Sequence, residues 1–523
     1  MQLLAEIKST DGERNAAKKA PGDFFDRLIE SRVSPLLTRL SHFLAEQKTP
    51  SYIVGGFVRD MLLKRNTADI DIAVAADALE TARRVAIALD GKYVPLDTVN
   101  RIGRVVLAGK EAPSASGQWE LDFSTFAGSI EEDLGQRDFT IDAMAIELSR
   151  LVKVDTGFTI IDPFQGQRDL QQGIIRAVTR TAFESDAARL LRAVRLAYEL
   201  GFTIDGETEA LMQRYCHLIT GIAGERVREE LLRLLAVPQA EAVLPHLDRL
   251  GLLAAIVPEL ALEKGVEQPK EHFWDVFDHS LKTVAAADFL LRQGSWEYAG
   301  RETVSMVPWS AELDEHFNTE VSSGSTRRLM LKLAALLHDI AKPQTKAIDS
   351  SGRMRFLGHA REGAAASNGI LERLRFSNKE IKLVEAMVEH HLRPTQMSQG
   401  GILPTQRAIY RYFRDTGDAG IDILFLSLAD HLATRGPHLS PDGWREHTRI
   451  VDYILTKRSE QETLVSPPRL IDGNDLINIF GLSPGPGIGH LLELVREAHA
   501  SGEFKTREEA LSYIRKHLGS KAE

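Results

Sequence analysis

Two aspartates two residues apart, Asp69 and Asp71, close the stretch at 52–74, which reads YIVGGFVRDMLLKRNTADIDIAV. On a strand successive side chains alternate, so both carboxylates share one face. Paired oxygen ligands of this kind suit Mg2+, an ion that aligns nucleophile, triphosphate and leaving group in phosphoryl transfer. Ahead of them a β-branched and aromatic run reaches Gly55 and Gly56, followed by apolar residues at helical spacing. Without a Cβ, these glycines let the backbone approach an anion and offer N–H groups at a helix start. Arg59, one turn on, adds a full positive charge. A tight turn would explain the glycine pair alone. Joined to D-I-D on the next strand, the pair predicts strand, glycine turn, helix and strand around a metal and a phosphate.

The order GG, RD and DxD resembles the head of the class II tRNA nucleotidyltransferase and bacterial poly(A) polymerase superfamily. The resemblance gives roles to further residues. Asp122, in WELDFSTF at 119–126, takes the place of a third carboxylate, which acts on the attacking hydroxyl's proton or holds a second ion; a lone Asp on a strand is otherwise a solvated edge residue. QRDFTIDAMAI at 136–146 matches a family run close to RRDFTINA, whose second Arg contacts the triphosphate, and Arg137 and Asp138 occupy those places. Gln136 stands where Arg is usual and Asp142 where Asn is usual. Residue types alone predict a helix here, with an Asp and Thr cap.

A long helix is expected at 183–202, FESDAARLLRAVRLAYELGF, with Leu190, Val194 and Ala197 buried and Asp186 and Arg189 one turn apart on another face. A surface ion pair would account for that spacing. In the family the corresponding Asp and Arg read the incoming base. Cytosine and adenine each present an amino donor beside a ring-nitrogen acceptor, so a carboxylate and a guanidinium match both and reject uracil and guanine. Arg192 and Arg195 resemble further phosphate-contacting arginines, and Ser185 replaces a usual Glu.

A second centre begins at His272. The runs HFWDVFDHSLKTV, LKLAALLHDIAKP, FLGHAREGA, VEAMVEHHLRP and LSLADHLATRG resemble the HD phosphohydrolase superfamily, with His279, His338, Asp339 and Asp430 as its H, HD and D. Mixed His and carboxylate ligation suits a divalent transition metal (Mn, Ni, Fe or Co) that generates hydroxide for phosphoester hydrolysis. His359 and His390 extend the set to a second metal, with the neighbouring His391 as the alternative.

The elements that must carry these residues imply a multidomain α+β chain. A leader at 1–23 precedes a nucleotidyltransferase head at 24–178, a mixed β-sheet with helices: a helix at 24–46, another at 78–89, and short strands at 93–96, 104–107 and 119–126. An all-α neck and body at 179–264 selects the base and binds RNA. An all-α HD domain at 268–456 contains an insertion at 293–325 without clear periodicity. A helical tail at 462–523 carries a glycine-rich turn that resembles the tRNA-binding tail of many bacterial tRNA nucleotidyltransferases.

At 523 residues the chain is too long for one core. A net charge of −10 excludes a uniformly basic coat but not a local arginine stripe that binds RNA. One cysteine, Cys216, excludes an internal disulfide and a thiolate zinc cluster, which fits a cytoplasmic location. No apolar run approaches the roughly 20 residues a membrane span needs. The expected activity is addition of C and A to the 3′ end of tRNA from CTP and ATP, with Mg2+ in the head. The alternatives are an enzyme restricted to A addition or poly(A) synthesis, a phosphohydrolase centred on the HD domain and acting on RNA ends or nucleotides, and a non-catalytic RNA-binding protein.

Overall fold

Alternation along the strands builds the head. β1 (Ser51–Val54), β2 (Asp69–Val74), β3 (Lys92–Asp97), β4 (Ile102–Ala108), β5 (Gln118–Thr125) and β6 (Ala145–Glu147) form one sheet in the order β3-β4-β5-β2-β1-β6. Among the described residues of this sheet only the β2–β5 pair is parallel. Ile70, Ile72 and Val74 of β2, with Val105, Leu107, Trp119, Leu121 and Phe123, pack with the helices Ser34–Glu46 and Ala78–Leu89. That leaves Asp69, Asp71, Glu120 and Asp122 on the opposite face, as the period of two requires. The helix Ala78–Leu89 is set by Asp77, whose side chain accepts the Glu80 N–H, and stops at Asp90 in the left-handed region.

The computed structural model describes residues 33–109, 112, 117–150, 159–398, 402–460 and 469–519. The leader at 1–23 and the first part of the helix expected at 24–46 lie outside them. The described residues form two compact units that divide after Gly221, within the segment expected as neck and body.

Two expectations for the first unit need correction. The run 136–146 is not a helix: a 3-10 turn, Thr140–Asp142, is followed directly by Ala143, Met144 and β6. The helix expected at 183–202 is broken: Ala182–Ser185 ends at Asp186, which is extended (φ −155°, ψ 104°), and Arg189–Leu200 begins anew. Asp186 Oδ1 accepts the Ala188 N–H at 3.1 Å, so the carboxylate turns back onto the backbone of the break instead of projecting from the side of one long helix. Leu190, Val194 and Ala197 are buried as expected.

The second unit is helical apart from two short hairpins, Glu320–Ser322 with Ser325–Thr326 and Lys346–Ile348 with Met354–Phe356. Its centre packs the helices Val276–Leu290, Arg327–Leu337, Asn378–His390 and Gly420–Arg435, three of which carry long apolar runs. The insertion at 293–325 is ordered by burial. It holds the helices Arg301–Ser305 and Ala311–Asn318, and fully buried Phe317 packs edge-on against Phe425 at 4.7 Å. In the tail, the helices Gly473–Phe480, Pro486–Ala500 and Arg507–Gly519 enclose a core of their own around Leu476, Val495 and Ile514.

Candidate active sites

The glycine turn sets the head site. Gly55 has φ 71°, a conformation that favours glycine, and a Cβ there would lie 2.8 Å from Arg137 Nη1 and 2.9 Å from Asp71 Oδ2. The turn therefore brings Asp71 and Arg137 together at its surface. Its N–H donates to the Met144 carbonyl at 3.3 Å, so Gly55 anchors the turn with the donor that was expected to face an anion. Gly56 opens the helix Gly56–Leu62, with the Arg59 guanidinium alongside it.

Register places the carboxylates. In the parallel β2–β5 pair Asp71 lies opposite Asp122, and Asp69 opposite Glu120. Asp69 is exposed, whereas burial pushes the Asp71 carboxyl up to about 6, with Arg137 opposing the shift and Asp122 reinforcing it. Asp122 is held by Arg104, through Nε to Oδ1 at 2.7 Å and Nη2 to Oδ2 at 2.8 Å. The third Arg104 nitrogen ion-pairs with Glu120.

Behind this face lies a layer of paired charges. Arg59 is buried and donates to Asp60 Oδ1 (2.9 Å) and Asp142 Oδ1 (2.7 Å). Arg192 meets Asp138 Oδ2 at 2.9 Å and Asp142 Oδ2 at 3.7 Å. Burial pushes Asp138 up, but Arg192, the Phe139 N–H, Arg189 and Arg137 outweigh it and hold Asp138 below the ordinary range. Asp142 goes the other way, raised by burial and by Asp138 against the pull of Arg59. Arg189 donates to the carbonyls of Gln136 (2.7 Å), Ala182 (3.3 Å) and Arg137 (3.5 Å), tying the helix start to the loop that carries Arg137. Arg195 is buried and pairs with Glu199 at 2.8 Å, which makes it part of the packing.

In the second unit six side chains converge from five helices or helix ends. His279 Nε2 lies 3.1 Å from His338 Nε2, 3.4 Å from Asp339 Oδ2 and 3.2 Å from Asp430 Oδ1. On the other side of the same carboxylate, Asp339 Oδ1 lies 3.4 Å from His359 Nε2 and 3.9 Å from His391 Nε2, and these two nitrogens are 3.3 Å apart. Each of His338, His359 and His391 places Nδ1 on a backbone carbonyl, of Ala335 (2.9 Å), Phe356 (2.7 Å) and Val388 (2.7 Å). Those bonds put a proton on Nδ1 and aim each Nε2 at the centre. Burial, with His338 alongside, pushes His391 down to about 3, so it is neutral near pH 7. Ring nitrogens this close need a proton or a cation between them, and the donor set fits two divalent ions: His279, His338 and Asp339 would hold one, and Asp339, His359 and His391 the other. The second donor triad takes His391 and not His390, which is half-buried near Glu389, Arg393 and Asp415. The turn that follows the helix Asn378–His390 points consecutive side chains in different directions.

These two sites can be set beside known proteins. Residues 51–176 match the Poly A polymerase head domain, 201–263 the model described as "Probable RNA and SrmB- binding site of polymerase A", and 301–435 the HD domain. The chain is 33% identical over 471 residues to the A-adding tRNA nucleotidyltransferase of Deinococcus radiodurans, covering 89% of this chain and 94% of that one. This chain belongs to the tRNA nucleotidyltransferase family. It is 31% identical to the CC-adding tRNA nucleotidyltransferase of Thermus thermophilus, over 89% of this chain and 93% of that one. The solved CCA-adding enzyme of Thermotoga maritima, complexed with tRNA, shares the fold with a TM-score of 0.59 and 22% identity, covering 96% and 99% of the two chains.

As a tRNA nucleotidyltransferase the chain combines two modules that use divalent metals, the head and the HD domain. Among the described residues no helix is long and apolar enough to cross a membrane. Sequence reasoning missed Arg104 and Glu120. Their signal was present in the strand alternation, since Glu120 precedes Asp122 by two and Arg104 alternates with buried Gly103 and Val105. It also missed Lys342 as a partner of Asp339, 2.6 Å from Oδ2.

Proposed function

We propose that this chain adds C and A to the 3′ end of tRNA from CTP and ATP, in the cytoplasm. Asp69 and Asp71 hold Mg2+, Arg59 and Arg137 hold the triphosphate with Gly56 beside them, and Asp122 is the third carboxylate. The observation that carries the reading is the Gly55 turn, which brings Asp71 and Arg137 to one point beside the carboxylate face of the sheet. Mg2+ there neutralises and aligns the triphosphate. The chain's own contribution is to fix the carboxylates by register and to support Arg137 through Arg189. Asp186 reads the amino group shared by cytosine and adenine. Arg189 joins it by exchanging a backbone carbonyl for the base.

A second reading, an enzyme that adds only part of CCA, is favoured by the relatives that align along nearly their whole length, which are named for A addition and for CC addition. The experiment is incubation with Mg2+ and tRNA transcripts ending before CCA, after C and after CC, with CTP and ATP singly and together. Growth of all three to CCA supports the first reading. Growth of only one or two of the transcripts supports the second, and no growth removes both.

The HD centre is a separate phosphohydrolase of RNA ends or nucleotides. It uses a transition metal, Mn, Ni, Fe or Co, held by His279, His338, Asp339 and Asp430, with His359 and His391 on the second ion. The two donor triads that share Asp339 support this assignment. Hydrolysis of a 2′,3′-cyclic nucleotide restored by one of these ions after chelation tests it; no restoration by any of the four overturns it.

A further inference from the structure

Besides Arg137, a second cation stands beside the acidic side chains of the head sheet, and it comes from a strand that carries no recognised motif. Arg104 on β4 lies directly opposite Asp122 on β5. Its guanidinium meets Asp122 as a fork, at 2.7 and 2.8 Å, and its third nitrogen reaches Glu120. Asp122 and Glu120 are themselves the cross-strand partners of Asp71 and Asp69. The four carboxylates thus form two rows, one on β2 and one on β5, and Arg104 is paired with the β5 row alone. Asp69 is near enough to add to the stabilisation of the Arg104 charge. All three side chains in the clamp are between about a quarter and a third exposed, so the clamp sits at the surface the substrate must approach.

A fork of this kind has two consequences. It occupies two of the roughly four lone-pair sites on the Asp122 carboxylate and fixes the plane of the group, leaving only the outward lone pairs for another partner. It also cancels charge on the β5 row, so the carboxylates left free of a forked counter-ion are Asp69 and Asp71 on the β2 row, with Arg137 beside Asp71. Lysine would keep the charge but not the fork.

We propose that Arg104 is a positioning residue for nucleotidyl transfer: it holds Asp122 in one orientation and confines divalent-cation binding to Asp69 and Asp71. The inference rests on Asp69 and Asp71 being the metal ligands of the head.

The test uses the full chain in an Asp339→Ala background, so that the HD centre does not contribute. Mn2+ binding is titrated by electron paramagnetic resonance, and single-nucleotide addition is measured in parallel. Arg104→Met should bind Mn2+ about three- to ten-fold more tightly or take up an additional ion, because the β5 carboxylates lose their counter-charge. Its kcat should fall about ten- to a hundred-fold with the KM for CTP within two-fold. Arg104→Lys should keep the parent Mn2+ isotherm and still lose at least five-fold in kcat. A purely structural role would lower the melting temperature and leave both isotherms unchanged. An Arg104→Met isotherm superimposable on the parent overturns the proposal, as does an Arg104→Lys enzyme with full kcat. The Lys variant decides if the Met variant does not fold. Asp71→Asn in the same background must lose Mn2+; if it does not, the assignment of the metal ligands has failed, not the role of Arg104.

Discussion

Asp71 lies directly opposite Asp122 across the parallel β2–β5 pair, with Arg137 at its open side, and its carboxyl is pushed up to about 6. Burial is the main cause, and Arg137 only partly offsets it. Below that pH a metal ion must displace the carboxyl proton. Nucleotide addition should therefore fall as pH drops through about 6, and raising Mg2+ ten-fold should move the acid limb to lower pH. An acid limb indifferent to Mg2+ in a pH–rate series would remove Asp71 from the ligand set. The stability sign is opposite to that of an ion-paired carboxylate. A raised pKa contributes stability that is full below the unfolded value and lost as pH rises through about 6. Metal-free Asp71→Asn should thus be more stable than the parent at pH 7.5, by about 1–3 kcal/mol, read from urea unfolding of the first unit in chelator.

Asp142 takes charge from two guanidiniums, Arg59 at 2.7 Å and Arg192 at 3.7 Å. Asparagine keeps an oxygen for Arg59 and removes the negative charge. Asp142→Asn should lower the KM for CTP and ATP about three- to ten-fold by leaving more positive charge for the triphosphate, at a stability cost below about 1 kcal/mol. Asp142→Ala leaves the buried Arg59 a partner short and should cost about 2–4 kcal/mol. Steady-state kinetics with thermal unfolding separates the two. An unchanged KM in the Asn variant would mean that this layer does not reach the nucleotide.

The break at Asp186 divides the roles of the expected base-reading pair. Arg189 supports Arg137 through backbone carbonyls, so Arg189→Ala should raise the KM for CTP and ATP alike, about ten-fold or more. Asp186→Ala should act on discrimination, raising misincorporation of UTP and GTP relative to CTP and ATP by about ten- to a hundred-fold. Single-turnover incorporation of each nucleotide checks both. Equal losses for all four nucleotides in the Asp186 variant would mean that it organises the break between the two helices and does not read the base.

The parts of the head readable from the chain are those fixed by local rules. The Gly55 turn, the β2 carboxylates and the helix Ala78–Leu89 follow from glycine conformation, alternation and capping within a few residues. The run at 136–146 departs from helix because its polar groups have distant partners. Asp142 is held by Arg59, 83 positions away, Thr140 by Asp169, 29 away, and Asp138 by Arg192. Local capping cannot reveal such pairs. Arg104 was visible as an alternating residue, but its pairing with Asp122 depends on the β4–β5 register, which strand patterns leave open. Which of His390 and His391 enters the HD centre depends on side-chain direction at a helix end, where adjacent residues diverge by about 100°.

That choice yields a direct test in the HD centre. Asp339 gives one oxygen to each triad, at 3.4 Å from His279 and 3.4 Å from His359, so Asp339→Ala should strip both ions and lower phosphoester hydrolysis at least a hundred-fold. His391→Ala removes a donor from the second triad alone and should lose one ion per chain, whereas His390→Ala should keep the parent metal content. Elemental analysis after dialysis gives the counts. CCA-end synthesis should stay within two-fold of the parent in all three variants, since none of these residues belongs to the head. Metal loss in His390→Ala equal to that in His391→Ala would overturn the assignment of the second site, and loss of nucleotide addition in Asp339→Ala would show that the two chemistries are not independent.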